Sequence, residues 1–276
     1  MTVLRGQPVA DAILARVRAD VSVCVRPPHL VVVLATDREE SRTYVAKKMS
    51  MVEQVGMRCT VDAVPEQSRT TDALVARVRR WSDDDSVDGI IVQLPLVRAI
   101  AMHAVLDAID PSKDVDGLTS ANIAAAYLNE PGFRAATAAA VLSILDFYHI
   151  PIVGVRTTIV GRSRLVGLPL AGMLLARDAT VTIAHTKTAA LADACRNAEL
   201  LIVASGKPGM VTREMVAAGA TVIDVGWARV NGKVVGDVAL DVAEVAGALT
   251  PVPGGVGPVT VAMLLAQTVR AAQARV

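Results

Sequence analysis

Two doubly wound parallel-sheet domains flanking a cleft, an α/β architecture, are predicted by three observations. Short apolar strands alternate with amphipathic helical stretches, the alternation comes in two separate series, and 276 residues with 53% hydrophobic side chains suffice for two modest cores.

The first series runs LVVVLA (30–35), a helix over about Ser41 to Gln54, the strand MRCTVDAV, a helix near 71–81 and the strand DGIIVQL. The second runs RTTIVG (156–161), a helix from about Val166, ATVTIA (179–184), a helix near 189–196, then ELLIVAS and ATVIDVG. Strands this uniformly apolar are buried on both faces, as a parallel sheet requires. An Ala-rich helical segment (120–149) lies between the series and is broken at NEPG (129–132), where a domain hinge is expected. PVPGGVGP (251–258) is too rich in Pro and Gly for a regular element, and a helix is expected from about Val259 to the end, returning the chain to the first domain. The expected division is 1–133 plus 255–276 against 134–254.

Charge and cysteine usage exclude several classes. The 28 Lys plus Arg nearly cancel 27 Asp plus Glu and are dispersed, so nucleic acid is not an expected partner. Cys24, Cys59 and Cys195 are widely separated and odd in number, which suggests neither a disulfide framework nor a metal site and fits a reducing cytoplasm. Arg5 and Asp11 precede any apolar run, unlike a signal peptide, and no uncharged stretch approaches the ~20 residues that would cross a bilayer, so no membrane is expected. No repeat or heptad seam is present.

TTIVGRSRLVGLP places a turn bracketed by Gly161 and Gly167 between a buried strand and a helix, where a dinucleotide pyrophosphate meets free backbone amides. The pattern is G-x-S-x-x-x-G, with Ser163 near where a glycine would admit phosphates, and by itself it fits a plain strand-to-helix turn equally well. The next strand shifts the balance. An NAD-preferring domain carries an acid about 20 residues on, whereas VTIA is followed by His185, Thr186, Lys187 and Thr188. With Arg162 and Arg164, these residues suit the 2′-phosphate of NADP. The second domain is therefore expected to be Rossmann-like and NADP-binding.

In SRTYVAKK, Tyr44 and Lys48 stand four apart on one face of a predicted helix. Alone, that pair reads as a solvated face. Short-chain dehydrogenases also use Y-x-x-x-K, but with the glycine loop far ahead of it, the reverse of the order here. DGIIVQLPL ends a buried strand in Gln93, Leu94 and Pro95, at the carboxyl end where ligands collect. KDVDGL sets Asp114 and Asp116 in a loop, with Asp114 suited to turn or N-cap chemistry.

YVAKK, DGIIVQLPL, KDVDGLTSAN, VGRSRLVGLP, TVTIAHTKT, VIDVG, VVGDV and TPVPGGVGPVTVAMLL, in this order across the chain, resemble the bifunctional methylenetetrahydrofolate dehydrogenase/methenyltetrahydrofolate cyclohydrolase family. The resemblance implies an enzyme of one-carbon metabolism acting on tetrahydrofolate derivatives. It would transfer hydride from methylenetetrahydrofolate to NADP, then hydrolyse the methenyl product to 10-formyltetrahydrofolate. Lys48 matches the family's catalytic lysine, which must be largely neutral; Gln93 its supporting glutamine; Tyr44 the ring that packs on folate; and Asp116 the acceptor of the pterin's N–H groups. Leu94, Pro95, Pro253, Gly257 and Thr260 match the folate site, while Gly161, Arg162, Ser163, Val166, Gly167, His185, Thr186 and Lys187 match the NADP site, Thr186 standing where many members have serine. A homodimer is implied as well.

The match breaks in two segments. The family's P-C-T-P-x-G appears as Ala135, Ala136, Thr137, Ala138, Ala139 and Ala140, which favours extending a helix, and its G-D-x-P-A-S appears as Thr36 to Ser41. VQLPLP also ends here in Val97. The altered alanine segment keeps open a monofunctional dehydrogenase or cyclohydrolase, and a non-catalytic folate- or NADP-binding paralogue is the alternative from another class.

Overall fold

The computed structural model describes residues 1–275, without the side chains of Glu40 and Lys47. In chain order come β1 (Thr2–Val3), α1 (Gly6–Ser22), β2 (His29–Leu34), α2 (Glu39–Gln54), β3 (Arg58–Ala63), α3 (Thr71–Ser82), β4 (Gly89–Val92), α4 (Met102–Leu106) and α5 (Ser120–Tyr127). They are followed by α6 (Ala136–Phe147), β5 (Arg156–Val160), α7 (Gly167–Leu175), β6 (Thr180–Ala184), α8 (Leu191–Arg196) and β7 (Leu200–Val203). The last are β8 (Thr221–Asp224), β9 (Ala228–Val230), β10 (Lys233–Val235), β11 (Ala248–Leu249) and α9 (Val256–Gln273).

Two compact units result. One holds Ala12–Ala125, Pro131–Ala136 and the chain from Val261 onward; the other holds Met1–Asp11, Ala126–Glu130 and Thr137–Thr260. This differs from the expected division. Residues 1–11 belong with the second series because β1 pairs in parallel with β11, Thr2 opposite Ala248. That pairing is only two residues long, too short to carry a period in the sequence. Helix α9 also begins earlier than expected, at Val256, with Gly257 and Pro258 in its first turn. Proline is accepted there because first-turn N–H groups have no partner within the helix.

In the first unit the sheet order is β3-β2-β4, all parallel. His29–Leu34 is buried along its whole length, as a central strand with helices on both faces must be. Since β3 lies to one side of β2 and β4 to the other, the winding reverses at the carboxyl ends of β2 and β4, which is where Gln93 stands. The KDVDG loop is tied to β4: Ile90 N–H donates to the Lys113 carbonyl at 2.8 Å. Asp114 is fully buried and accepts from Leu118 N (3.1 Å), Thr119 N (2.7 Å) and Asn122 Nδ2 (2.9 Å), which satisfies the start of α5. Gly117 has φ +66°, and a Cβ there would lie 2.3 Å from the Arg134 carbonyl carbon, so only glycine lets the loop turn at this point.

In the second unit a six-stranded sheet has the order β1-β11-β8-β7-β5-β6. Its pairings are parallel, and β9 and β10 form a separate antiparallel hairpin. Strand β5 is followed by β6 on one side and β7 on the other, so this sheet also reverses its winding, at the carboxyl ends of β5 and β7.

Replacing Asp114 by Ala strands two backbone N–H groups and an amide in a dry loop. A loss of about 3 kcal/mol of unfolding free energy is expected in a urea titration, whereas an unchanged midpoint would show that water or another acceptor takes over.

Candidate active site

The site in the first unit is built on α2 and the end of β4. Tyr44 and Lys48 lie one helical turn apart on α2, with Lys48 Nζ 4.6 Å from the centre of the Tyr44 ring. Lys48 is only 8% exposed, and its amine donates to Gln93 Oε1 at 3.2 Å. Gln93 continues the ladder beyond β4, its N–H donating to Val33 O at 2.9 Å, and its Nε2 donates to Leu94 O at 2.7 Å. Both ends of that amide are therefore engaged, so its oxygen is fixed toward Lys48. The Leu94–Pro95 peptide is cis, with Leu94 half-buried and Pro95 exposed.

Asp116 is held by its backbone: its carbonyl accepts from Ala136 N at 3.1 Å, beside the Gly117 turn. The electrostatics of the three groups are mutual. Burial lowers the Lys48 pKa and Asp116 pulls the other way. Burial pushes the Asp116 carboxyl up to about 6, with Lys48 opposing and Asp114 adding to the rise. Burial, reinforced by Asp116, raises the Tyr44 phenol to about 12, so it stays protonated. An amine depressed by burial and held by an uncharged amide is equipped to accept a proton, and a half-buried carboxylate can take two N–H donors.

The loop before α2, where the proline of G-D-x-P-A-S is missing, is braced by charge instead. The Asp37 carboxylate is paired with Arg69 and, at 2.7 Å, with Arg42, which holds its pKa down at about 2. Residues 136–140 are helical, within α6, and all but Thr137 are buried.

The second unit carries the glycine loop. Gly161 follows β5 with φ +144°, and a Cβ on it would lie 2.3 Å from Ala204 O. A Cβ on Gly167, the first residue of α7, would lie 2.0 Å from Gly161 O. The loop's own close packing thus demands both glycines, whatever it binds. Ser163 Oγ accepts from Val166 N at 3.2 Å; Arg162 and Ser163 are exposed, and α7 begins without a side-chain cap. At the end of β6, next to β5, His185 and Thr188 close a turn: His185 N donates to Thr188 Oγ1 at 2.9 Å, and Lys187 N to His185 Nδ1 at 3.1 Å. Thr186 and Lys187 are left exposed.

Tyr44, Lys48, Gln93, Leu94, Pro95 and Asp116 fall in the first unit. The second holds the glycine loop, His185 to Lys187, and also Pro253, Gly257 and Thr260. Pro253 follows a cis peptide, a Cβ on Gly257 would meet nothing within 4 Å, and Thr260 Oγ1 bonds back to Val256 O at 3.2 Å. Sequence reasoning gave no role to Asp224 and Asp237, both buried. Their one signal is an acid close to a glycine in VIDVG and in VVGDV.

Residues 4–116 match the catalytic domain of tetrahydrofolate dehydrogenase/cyclohydrolase, and residues 135–276 match its NAD(P)-binding domain. A bifunctional FolD protein of Sorangium cellulosum is 47% identical, over 99% of this chain and 98% of its own. The crystal structure of the bifunctional FolD enzyme of Campylobacter jejuni superposes with a TM-score of 0.96 at 38% identity, covering 100% of both chains. The Trypanosoma brucei enzyme, solved with NADP and an inhibitor, gives 0.93 at 35% identity over 99% of this chain and 98% of its own. With both family domains matched in order and a relative at 47% identity along nearly the whole length, the chain belongs to the tetrahydrofolate dehydrogenase/cyclohydrolase family.

Proposed function

We propose that the protein oxidises 5,10-methylenetetrahydrofolate with NADP and hydrolyses the resulting methenyl compound to 10-formyltetrahydrofolate. The observation that carries this reading is the buried Lys48 amine held by Gln93 beside Tyr44 and Asp116, in a chain of this family. The unit built on β2 to β4 holds the folate, and the unit built on β5 to β8 holds NADP.

Bound NADP supplies the hydride acceptor for the first reaction. The residues present fit it. The turn before α7 brings the exposed Arg162 and Ser163 to a helix amino terminus, where the guanidinium and the helix dipole suit the pyrophosphate, with Gly161, Val166 and Gly167 around it; Val166 N and Leu168 N are already bonded to Ser163. At the end of β6, His185, Thr186 and Lys187 offer donors and a cation to a 2′-phosphate, with no acid to repel it.

Each residue of the folate site has a task set by its surroundings. The Asp116 carboxylate accepts from the two-donor edge of the pterin, and the Tyr44 ring covers the folate, with Leu94 and Pro95 as further contacts. Lys48, neutral beside a cationic methenyl substrate, takes the proton from the attacking water, and Gln93 keeps its nitrogen in line. The ionised Asp116 offsets the positive charge that Lys48 then carries.

A homodimer in the cytoplasm completes the reading, the first supported by the family resemblance and the second by three unpaired cysteines.

Three outcomes are expected. Following NADPH formation and methenyl absorbance together, the parent forms NADPH with little methenyl build-up, while Lys48→Met, which keeps the apolar stem, loses hydrolysis by ~10²–10⁴-fold, the usual worth of a positioned base. A Lys48→Met protein that still hydrolyses at the parental rate would remove the lysine from the mechanism.

The acid limb of kcat/KM comes next. Ionised above its pKa of about 6, Asp116 accepts pterin donors, and it loses that capacity as pH falls through that value. The limb is expected near pH 6 and absent in Asp116→Asn, which is about 100-fold slower at pH 7.5; a limb that survives in Asp116→Asn belongs to another group.

For the cofactor, Lys187→Ala is expected to weaken NADP about tenfold and leave NAD unaffected, since only the former carries the phosphate. Equal weakening of both in parallel titrations would place Lys187 elsewhere.

A further inference from the structure

Two buried aspartates of the second unit take no part in the contacts proposed so far. Asp224 ends β8 and is 4% exposed; its Oδ1 accepts from Gly226 N (2.9 Å) and Asp237 N (3.0 Å), and its Oδ2 from Val238 N (3.0 Å). Asp237, 1% exposed, lies two residues beyond β10. Its Oδ2 gathers three donors: Ser205 N (2.7 Å), Ser205 Oγ (3.0 Å) and Gly206 N (2.7 Å). Glycines make room for both carboxylates. A Cβ on Gly236 would lie 1.9 Å from Asp224 Oδ2, and one on Gly226 2.3 Å from Asp237 Cγ. VIDVG and VVGDV are therefore the two halves of one lock, and what it locks is the loop after β7.

That loop stands at the switch point of the sheet. Gly161, just after β5, approaches Ala204, just after β7, so closely that a Cβ would lie 2.3 Å from its carbonyl oxygen, so the chain leaves β5 and β7 backbone to backbone. Gly206 has φ +67°, and a Cβ on it would meet nothing within 4 Å, so this face of the loop is open. On the other side of β5, the end of β6 carries His185 to Lys187, where the proposed reading places the adenosine phosphate. A dinucleotide crossing such a crevice puts its other half at the end of the strand on the opposite side, here β7.

We infer that Asp237 is a positioning residue for the nicotinamide half of the dinucleotide, acting by fixing the Ser205–Gly206 backbone, with Asp224 in turn fixing Asp237. Two backbone N–H groups and a hydroxyl converge on one carboxylate oxygen, and charge-assisted bonds of this kind outcompete solvent for those donors. Without the carboxylate, Ser205 N and Gly206 N turn toward water and the open face of the loop loses its shape. The inference rests on the NADP reading of this unit.

Asp237→Asn and Ser205→Ala in the full-length protein test it. The readouts are NADP affinity by equilibrium titration, KM for each substrate, and hydrolysis of methenyltetrahydrofolate without cofactor. Asp237→Asn is expected to weaken NADP about tenfold and Ser205→Ala about threefold, with folate KM and cofactor-free hydrolysis within about twofold of the parent, a split that a general loss of stability does not produce. Unchanged NADP affinity in both variants overturns the role, as does a parallel fall of both reactions together with the melting midpoint. If Asp237→Asn does not fold, Ser205→Ala decides by the same criterion. A parent that binds no NADP overturns the functional reading instead, and is distinguished by failing before any substitution is made.

Discussion

A backbone N–H buried without an acceptor costs about 1–3 kcal/mol, and the loops at the carboxyl ends of parallel strands are where this chain meets that constraint most sharply. Such loops must be irregular to present a ligand surface, so they cannot satisfy their own donors as helices and strands do. Buried carboxylates are the solution in both units. Asp114 collects the amides that open α5, and Asp237 collects those that follow β7, itself held by Asp224. In each case a glycine is pressed against the network: Gly132, where a Cβ would lie 2.8 Å from Oδ1 of the Asn122 that donates to Asp114, and Gly226 and Gly236 on the two carboxylates of the other unit. Acid and glycine are one device, since the first supplies acceptors and the second lets the chain come close enough to use them.

That device explains what was legible in the sequence and what was not. The runs LVVVL and TTIV are buried strands because their branched apolar side chains fit only a two-sided sheet, and the structure has them within a residue of the expected bounds. Asp114 behaves as the turn and cap chemistry of its sequence position requires. The roles of Asp224 and Asp237 leave no trace in the sequence because the Asp224 carboxylate depends on partners up to 14 residues away, Asp237 on partners 31 and 32 residues away, and both on a glycine's missing side chain, none of which has a period. The two-residue strands β1 and β11 pair with distant partners and leave no local pattern to read, whereas helix α1 has one, its buried Val9, Ala10, Leu14 and Val17 recurring at helical spacing in GQPVADAILARVRADVS.

The departures from the family pattern are absorbed locally. Where G-D-x-P-A-S would have stiffened the approach to α2 with a proline, Asp37 is clamped by Arg42 and Arg69. Where P-C-T-P-x-G would have held the chain near Asp116, Ala136 still donates its N–H to the Asp116 carbonyl, and the alanines after it are packed and helical. A proline in place of Ala138 would sit within the first turn, where its missing N–H matters least, so the exchange leaves the hydrogen-bond pattern around Asp116 standing.

The buried pair of Lys48 and Asp116 is where these supports converge. In the free protein burial drives the amine's pKa down and the acid's up, so both lean toward neutrality, while the charge of each group opposes the shift of the other. A folate bound as proposed breaks that symmetry. Its N–H donors favour the ionised Asp116, while its methenyl cation disfavours an ammonium at position 48. The substrate itself would thus separate the roles, leaving a carboxylate that binds and an amine that accepts a proton. Gln93 is suited to stand beside such a lysine because its amide carries no charge and cannot pull the proton back.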